Sequence, residues 1–141
     1  MLKTVVVALD GSELSERVIQ ALEELELQPT TKIILCHVIP PPGSDLELAV
    51  DRPHIESEEV PYRHIEKQIE SYQAKLPYES EIEIVSGDPA QEIIRLANIY
   101  QADLIALGSR GLTGVKRIIQ GSVSSQVVED APCSVLVVKP G

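Results

Sequence analysis

Residues 4–9 read Thr-Val-Val-Val-Ala-Leu, a β-branched run with no polar alternation. A strand with one wet face alternates apolar and polar side chains, whereas a strand covered on both faces does not. The run therefore predicts a strand of a parallel sheet with a layer on each side. A second buried run falls at residues 32–39, and further strands at 81–85, 103–107 and 134–138. The stretches between them carry helical spacing instead. Leu14, Val18, Ala21, Leu22 and Leu25 share one helical face, as do Ile65, Ile69, Tyr72 and Leu76, and again Ala90, Ile93, Ile94 and Ala97. A last helix contains Val127 and Val128 and starts near Ser122.

The punctuation fits this division. Asp10-Gly11-Ser12 breaks the first strand and offers capping oxygens; Gln28-Pro29-Thr30, Pro77 and Ala131-Pro132 close helices. Asp88-Pro89-Ala90-Gln91 is a helix start, with a capping Asp, Pro at the first helical position and Gln at the third. Residues 40–61 are polar, acidic and proline-rich and read as a long variable surface loop. The expected fold is an α/β single domain over residues 1–141, a doubly wound five-stranded parallel sheet flanked by helices on both faces. Its crossovers are right-handed. Ligands of such sheets bind beyond the carboxyl ends of the strands, where the strand order reverses. The residues at those ends are Asp10, residues 38–40 and Gly108.

Gly108 opens the most informative stretch. Gly108-Ser109-Arg110-Gly111 follows the fourth strand, and Gly121-Ser122-Val123-Ser124 comes after nine intervening residues. Glycines let the backbone approach a ligand closely, inward-turned amides make an anion-binding concavity, and a helix start adds free N–H groups and a positive dipole end. Glycine spacing alone leaves a plain alternative open, in which Gly108 turns the strand and Gly121 breaks a helix. Arg110, Lys116 and Arg117 lie between Gly108 and Gly121 with no acid among them. Two other nucleotide motifs are missing: no Gly-x-x-x-x-Gly-Lys-Ser/Thr occurs, and no Gly-x-Gly-x-x-Gly follows the first strand. The chain is neither a P-loop protein nor a dinucleotide dehydrogenase.

Composition narrows the partners. Twelve basic against 22 acidic residues give a net charge of −10, which repels nucleic acid and anionic membranes. Four Tyr with no Phe or Trp leave an aliphatic core and no aromatic row for stacking bases. No signal peptide or apolar run of membrane length is present, and Cys36 and Cys133 sit in apolar runs without ligand spacing. Buried free thiols in a reduced, cytoplasmic compartment are the expectation. No catalytic set emerges: His54 and His64 fall in or beside the polar loop, and His37, at a strand end, has no evident Ser or Cys partner. No acid stands out as a base for an attacking water, and no metal ligands are assigned to protein side chains.

With these residues in view, the sequence resembles the universal stress protein family, specifically its ATP-binding branch. That branch carries Gly, two residues, Gly, nine residues, then Gly followed by Ser or Thr, which Gly108, Gly111, Gly121 and Ser122 match. Leu107, Ser109-Arg110, residues 131–138, residues 7–12 and His37-Val38 match the flanking text. The resemblance implies an adenine nucleotide alpha hydrolase-like fold holding ATP with Mg²⁺. It implies that Asp10 accepts from ribose hydroxyls, while Ala8 and Val38 touch the adenine. Gly108, Ser109, Arg110 and Gly111 would wrap the ribose and phosphates with Gly114 near them; Gly121, Ser122, Val123 and Ser124 would hold the outer phosphates. It also implies a homodimer through the last strand, Ser134 to Val138. Some members of the family carry Pro where this chain has Ala8. The expected function is a nucleotide-dependent regulator or sensor in the stress response, without fast turnover. A slow ATPase and a nucleotide-free dimeric interaction protein are the alternatives, and AMP or cyclic AMP in place of ATP is a variant of the first.

Overall fold

The computed structural model describes residues 2–9, 13–39, 59–108 and 117–139. Five strands and four helices alternate along them: β1 (Thr4–Ala8), α1 (Glu13–Glu24), β2 (Lys32–Ile39), α2 (Glu59–Lys75), β3 (Glu79–Ser86), α3 (Pro89–Tyr100), β4 (Leu104–Gly108), α4 (Arg117–Asp130) and β5 (Ser134–Val138). The strands form one sheet in the order β3-β2-β1-β4-β5, and every pairing is parallel. The doubly wound sheet expected from the sequence is the sheet that forms.

β1 lies at its centre. Val5, Val7 and Leu9 enter one apolar cluster, and Val6 and Ala8 the other. The first cluster takes Val18, Ile19 and Leu22 from α1 and Ile69, Tyr72 and Leu76 from α2. The second takes Ala90, Ile93, Leu96 and Ala97 from α3 and Val123 and Val127 from α4. A strand with a helical layer over each face has no position for a polar side chain, which is why residues 4–9 show no alternation. Each fully buried Val, Leu or Ile here is worth roughly 1.5–3 kcal/mol of transfer free energy.

The ends of α3 form as their residues dictate. Asp88 Oδ2 accepts from the Gln91 N–H at 3.0 Å, Pro89 occupies the first turn, and Gln101 closes the helix in a left-handed conformation. Other boundaries differ from the sequence reading. α2 begins at Glu59, so residues 59–61, assigned to the loop, are helical. Pro61 is compatible because first-turn N–H groups have no intrahelical acceptor to lose. Residues 40–58 of that loop lie outside the described residues. Leu25 falls beyond the end of α1 and is exposed, while Ile19, off the predicted stripe, is buried.

Candidate functional site

The chain builds β1, β2 and β3 outward in one direction, then α3 returns it across the sheet to β4 on the other side of β1. The order therefore reverses between β1 and β4. In sheets of this order the connections at such a point leave in opposite directions, and ligands bind beyond the carboxyl ends of the two strands. Val7 pairs with Ala106, so Ala8–Leu9 and Leu107–Gly108 lie side by side at that end.

Of the predicted site residues, the structure brings several to this region. Gly108 is the last residue of β4. Ala8 and Val38 are buried, 4% and 0% exposed, on the same face of the sheet. They share an apolar cluster with Cys36, Leu107, Val123 and Val127. Val123 and Ser124 are buried on α4, where the helix packs towards the sheet. Asp10, Ser109, Arg110, Gly111 and Gly114 lie outside the described residues.

One expectation is corrected. The last helix starts at Arg117, not near Ser122, so Gly121, Ser122, Val123 and Ser124 occupy its second turn. A glycine inside a helix costs about 1 kcal/mol relative to alanine, which weakens a helix without ending it. The amides lacking intrahelical acceptors, with the positive end of the dipole, accordingly lie around Arg117.

His37 has a role that the sequence reading missed. Its imidazole is buried, 8% exposed, and Nδ1 lies 2.9 Å from the carbonyl oxygen of Leu9. A carbonyl can only accept, so Nδ1 carries the hydrogen and donates it. The neighbouring Leu9 N–H donates to the Cys36 carbonyl at 2.8 Å. The end of β1 is thus tied to β2 by one backbone bond and one side-chain bond. The sequence signal was a polar residue inside an otherwise apolar strand, which needs a buried partner. That partner sits on another strand, 28 residues away.

The thiols are placed largely as expected. Cys36 is buried, and burial, with Glu83 as a lesser cause, pushes its thiol up to about 12. Cys133 is only half-buried, just ahead of β5; desolvation also raises it. Neither is a thiolate nucleophile at neutral pH. A polar network lies at the β3 side of the sheet. Lys32 Nζ meets Glu81 Oε2 at 2.8 Å and lies over the Tyr100 ring, whose hydroxyl donates to Glu83. Among the described residues, no three His, Cys, Asp or Glu side chains group as a metal site, and no helix is long and apolar enough to cross a membrane.

An open parallel sheet with its reversal beside the central strand, and a glycine at the end of the facing strand, defines a doubly wound α/β protein. Comparison with known proteins is specific about which. Residues 1–139 match the profile of the universal stress protein family. A universal stress protein of Thermus aquaticus is 33% identical, over 99% of this chain and 100% of its own. Universal stress protein MJ0531 of Methanocaldococcus jannaschii is 32% identical, over 97% of this chain and 82% of its own. This chain belongs to the universal stress protein family.

Solved structures agree on the fold. The hypothetical protein MJ0577 superposes with a TM-score of 0.81 at 27% identity, over 99% of this chain and 96% of its own. A universal stress protein solved with cAMP gives 0.69 at 24% identity, over 98% and 97%. The Archaeoglobus fulgidus protein solved with dAMP gives 0.63 at 24%, over 97% and 98%.

Proposed function

We propose that this protein binds ATP with Mg²⁺ at the β1/β4 switch point and acts as a nucleotide-dependent regulator in the stress response. One observation carries the reading: the Gly108, Gly111, Gly121-Ser122 spacing begins on the terminal residue of β4, one of the two strands that flank the reversal. Ligands of such sheets gather at that location. Two proteins of the same fold are solved with cAMP and dAMP, so the fold accommodates adenine nucleotides. Ala8 and Val38, both buried on one face at this end of the sheet, are apolar residues of the kind a purine packs beside. The phosphates would meet Gly108, Ser109, Arg110 and Gly111 with Gly114 beside them, and the segment from Gly121 to Ser124, while Asp10 would accept from the ribose. Mg²⁺ keeps several waters and is held mainly through phosphate oxygens, so this site needs no protein metal cluster.

The two sheet edges support a homodimer. β3 carries Glu79, Glu81 and Glu83 at alternate positions, and charge of this kind discourages edge pairing. β5 reads Ser-Val-Leu-Val-Val with no charge and stands at the other edge. Pairing through Ser134–Val138 would cover it. Its half-buried and buried free thiols suit a reducing, cytoplasmic setting.

Replacing Gly121 with leucine tests the nucleotide reading. The variant is expected to lose Mg-ATP binding in titration calorimetry while unfolding at a similar temperature. Unchanged affinity would remove the glycine spacing as the basis of the proposal.

A further inference from the structure

We infer that His37 is a positioning residue for the nucleotide site, locking the carboxyl end of β1 to β2 so that this end of the sheet is fixed before ligand arrives. The inference rests on the nucleotide-binding reading and assigns His37 no contact with the ligand.

The ladder between β1 and β2 runs in register from Thr4↔Lys32 to Ala8↔Cys36. One residue further, the Leu9 N–H still reaches the Cys36 carbonyl at 2.8 Å. The Leu9 carbonyl, however, is taken by the His37 ring at 2.9 Å. That carbonyl belongs to the peptide unit through which the chain leaves the sheet. A peptide unit is planar, so fixing its oxygen fixes the direction of exit. The same residue precedes Val38 directly and lies on the opposite face of β2 from it, since Leu35 faces one cluster and Cys36 and Val38 the other. Rotation at the end of β1 would therefore displace Ala8 relative to Val38, the two apolar residues at that end.

Three substitutions separate this role from general packing. The donor of asparagine, like His Nδ1, is two bonds beyond Cβ, so His37→Asn can place an N–H at the Leu9 oxygen. His37→Gln carries its donor one bond too far, and His37→Leu fills the space with no donor. Loss of one buried hydrogen bond corresponds to about a tenfold change in affinity. His37→Leu and His37→Gln are expected to bind Mg-ATP about tenfold more weakly than wild type, and His37→Asn within about threefold of it. Amide exchange without nucleotide reads the adjacent bond, from the Leu9 N–H to the Cys36 carbonyl, which loosens if the strand end is released. The Leu9 amide is expected to exchange about tenfold faster in the Leu and Gln variants and at the wild-type rate in the Asn variant, with Val5 to Val7 unchanged. Equal weakening in all three variants, or unaltered Leu9 exchange in His37→Leu, would overturn the inference. Wild type that binds no nucleotide would defeat the proposed function instead, while the exchange pattern still decides whether His37 holds the strand end.

Discussion

Asp103 fastens the amino end of β1 with one carboxylate oxygen. Oδ2 accepts from the Lys3 N–H at 2.8 Å and the Thr4 N–H at 3.1 Å, and these two bonds hold its carboxyl below the usual range. A carboxyl whose folded pKa is depressed contributes stability above its unfolded pKa and loses it as pH falls towards the folded one. The site is open to water, so screening keeps the effect small. Asp103→Ala is expected to cost about 1 kcal/mol at neutral pH, by chemical denaturation, and the gap to wild type should close below roughly pH 4. A gap independent of pH would contradict the charged pair of bonds. Cys36 makes a second residue-scale prediction. With its thiol near 12 and its side chain inside the sheet, it should resist alkylation at pH 8 until the protein unfolds, while half-buried Cys133 reacts first. Mass mapping of the alkylated peptides gives the order.

At the scale of elements, the β3–α3 turn is the tightest test. Gly87 has φ +145°, a conformation that L side chains rarely adopt, and an added Cβ would lie 3.0 Å from Glu92 Cγ and 3.2 Å from Oε2. Glu92 is also held by Arg95 through Oε1 at 2.7 Å, which limits its freedom to give way. Gly87→Ala should destabilise the protein by about 1–3 kcal/mol in thermal or denaturant unfolding, mainly from backbone strain. Val128→Ala on the open face of α4 should change stability by less than about 0.5 kcal/mol, since that side chain is 55% exposed. The buried strands β1 and β2 and the start of α3 were legible in the sequence because their signals are local: an unalternated run for burial on two faces, and Asp88-Pro89 for a helix start. The start of α4 was not legible. Gly121 looks like a boundary in isolation, yet a helix supported by Val123 and Val127 against the sheet carries it. His37 was legible as an oddity but not as a tie, because its partner lies on a different strand.

The whole molecule gathers these pieces around one reversal in the strand order. Nothing in a single strand announces that β4 lies beside β1 rather than beside β3; the alternation of strands and helices allows several orders, and only the assembled sheet selects one. Once it does, Ala8, Val38 and Gly108 meet at one end of the sheet, and the charged network of Lys32, Glu81, Glu83 and Tyr100 lies at the β3 side. The contrast between the acidic β3 edge and the uncharged β5 edge predicts association through β5. Val137→Lys should convert a dimer to a folded monomer in sedimentation at micromolar concentration. A wild type that already sediments as a monomer there would contradict that mode of assembly.

The most direct test of the central claim is the change in unfolding temperature on adding Mg-ATP, with Mg-AMP, cyclic AMP and Mg-GTP alongside. A ligand that binds only the folded chain adds about 2.7 kcal/mol at 100 times its dissociation constant. For a chain of this size that is a rise of roughly 8–10 °C. The account predicts such a rise with Mg-ATP, none with Mg-GTP, and its loss in Gly121→Leu. No rise with any adenine nucleotide would contradict it and leave the switch point without its proposed ligand.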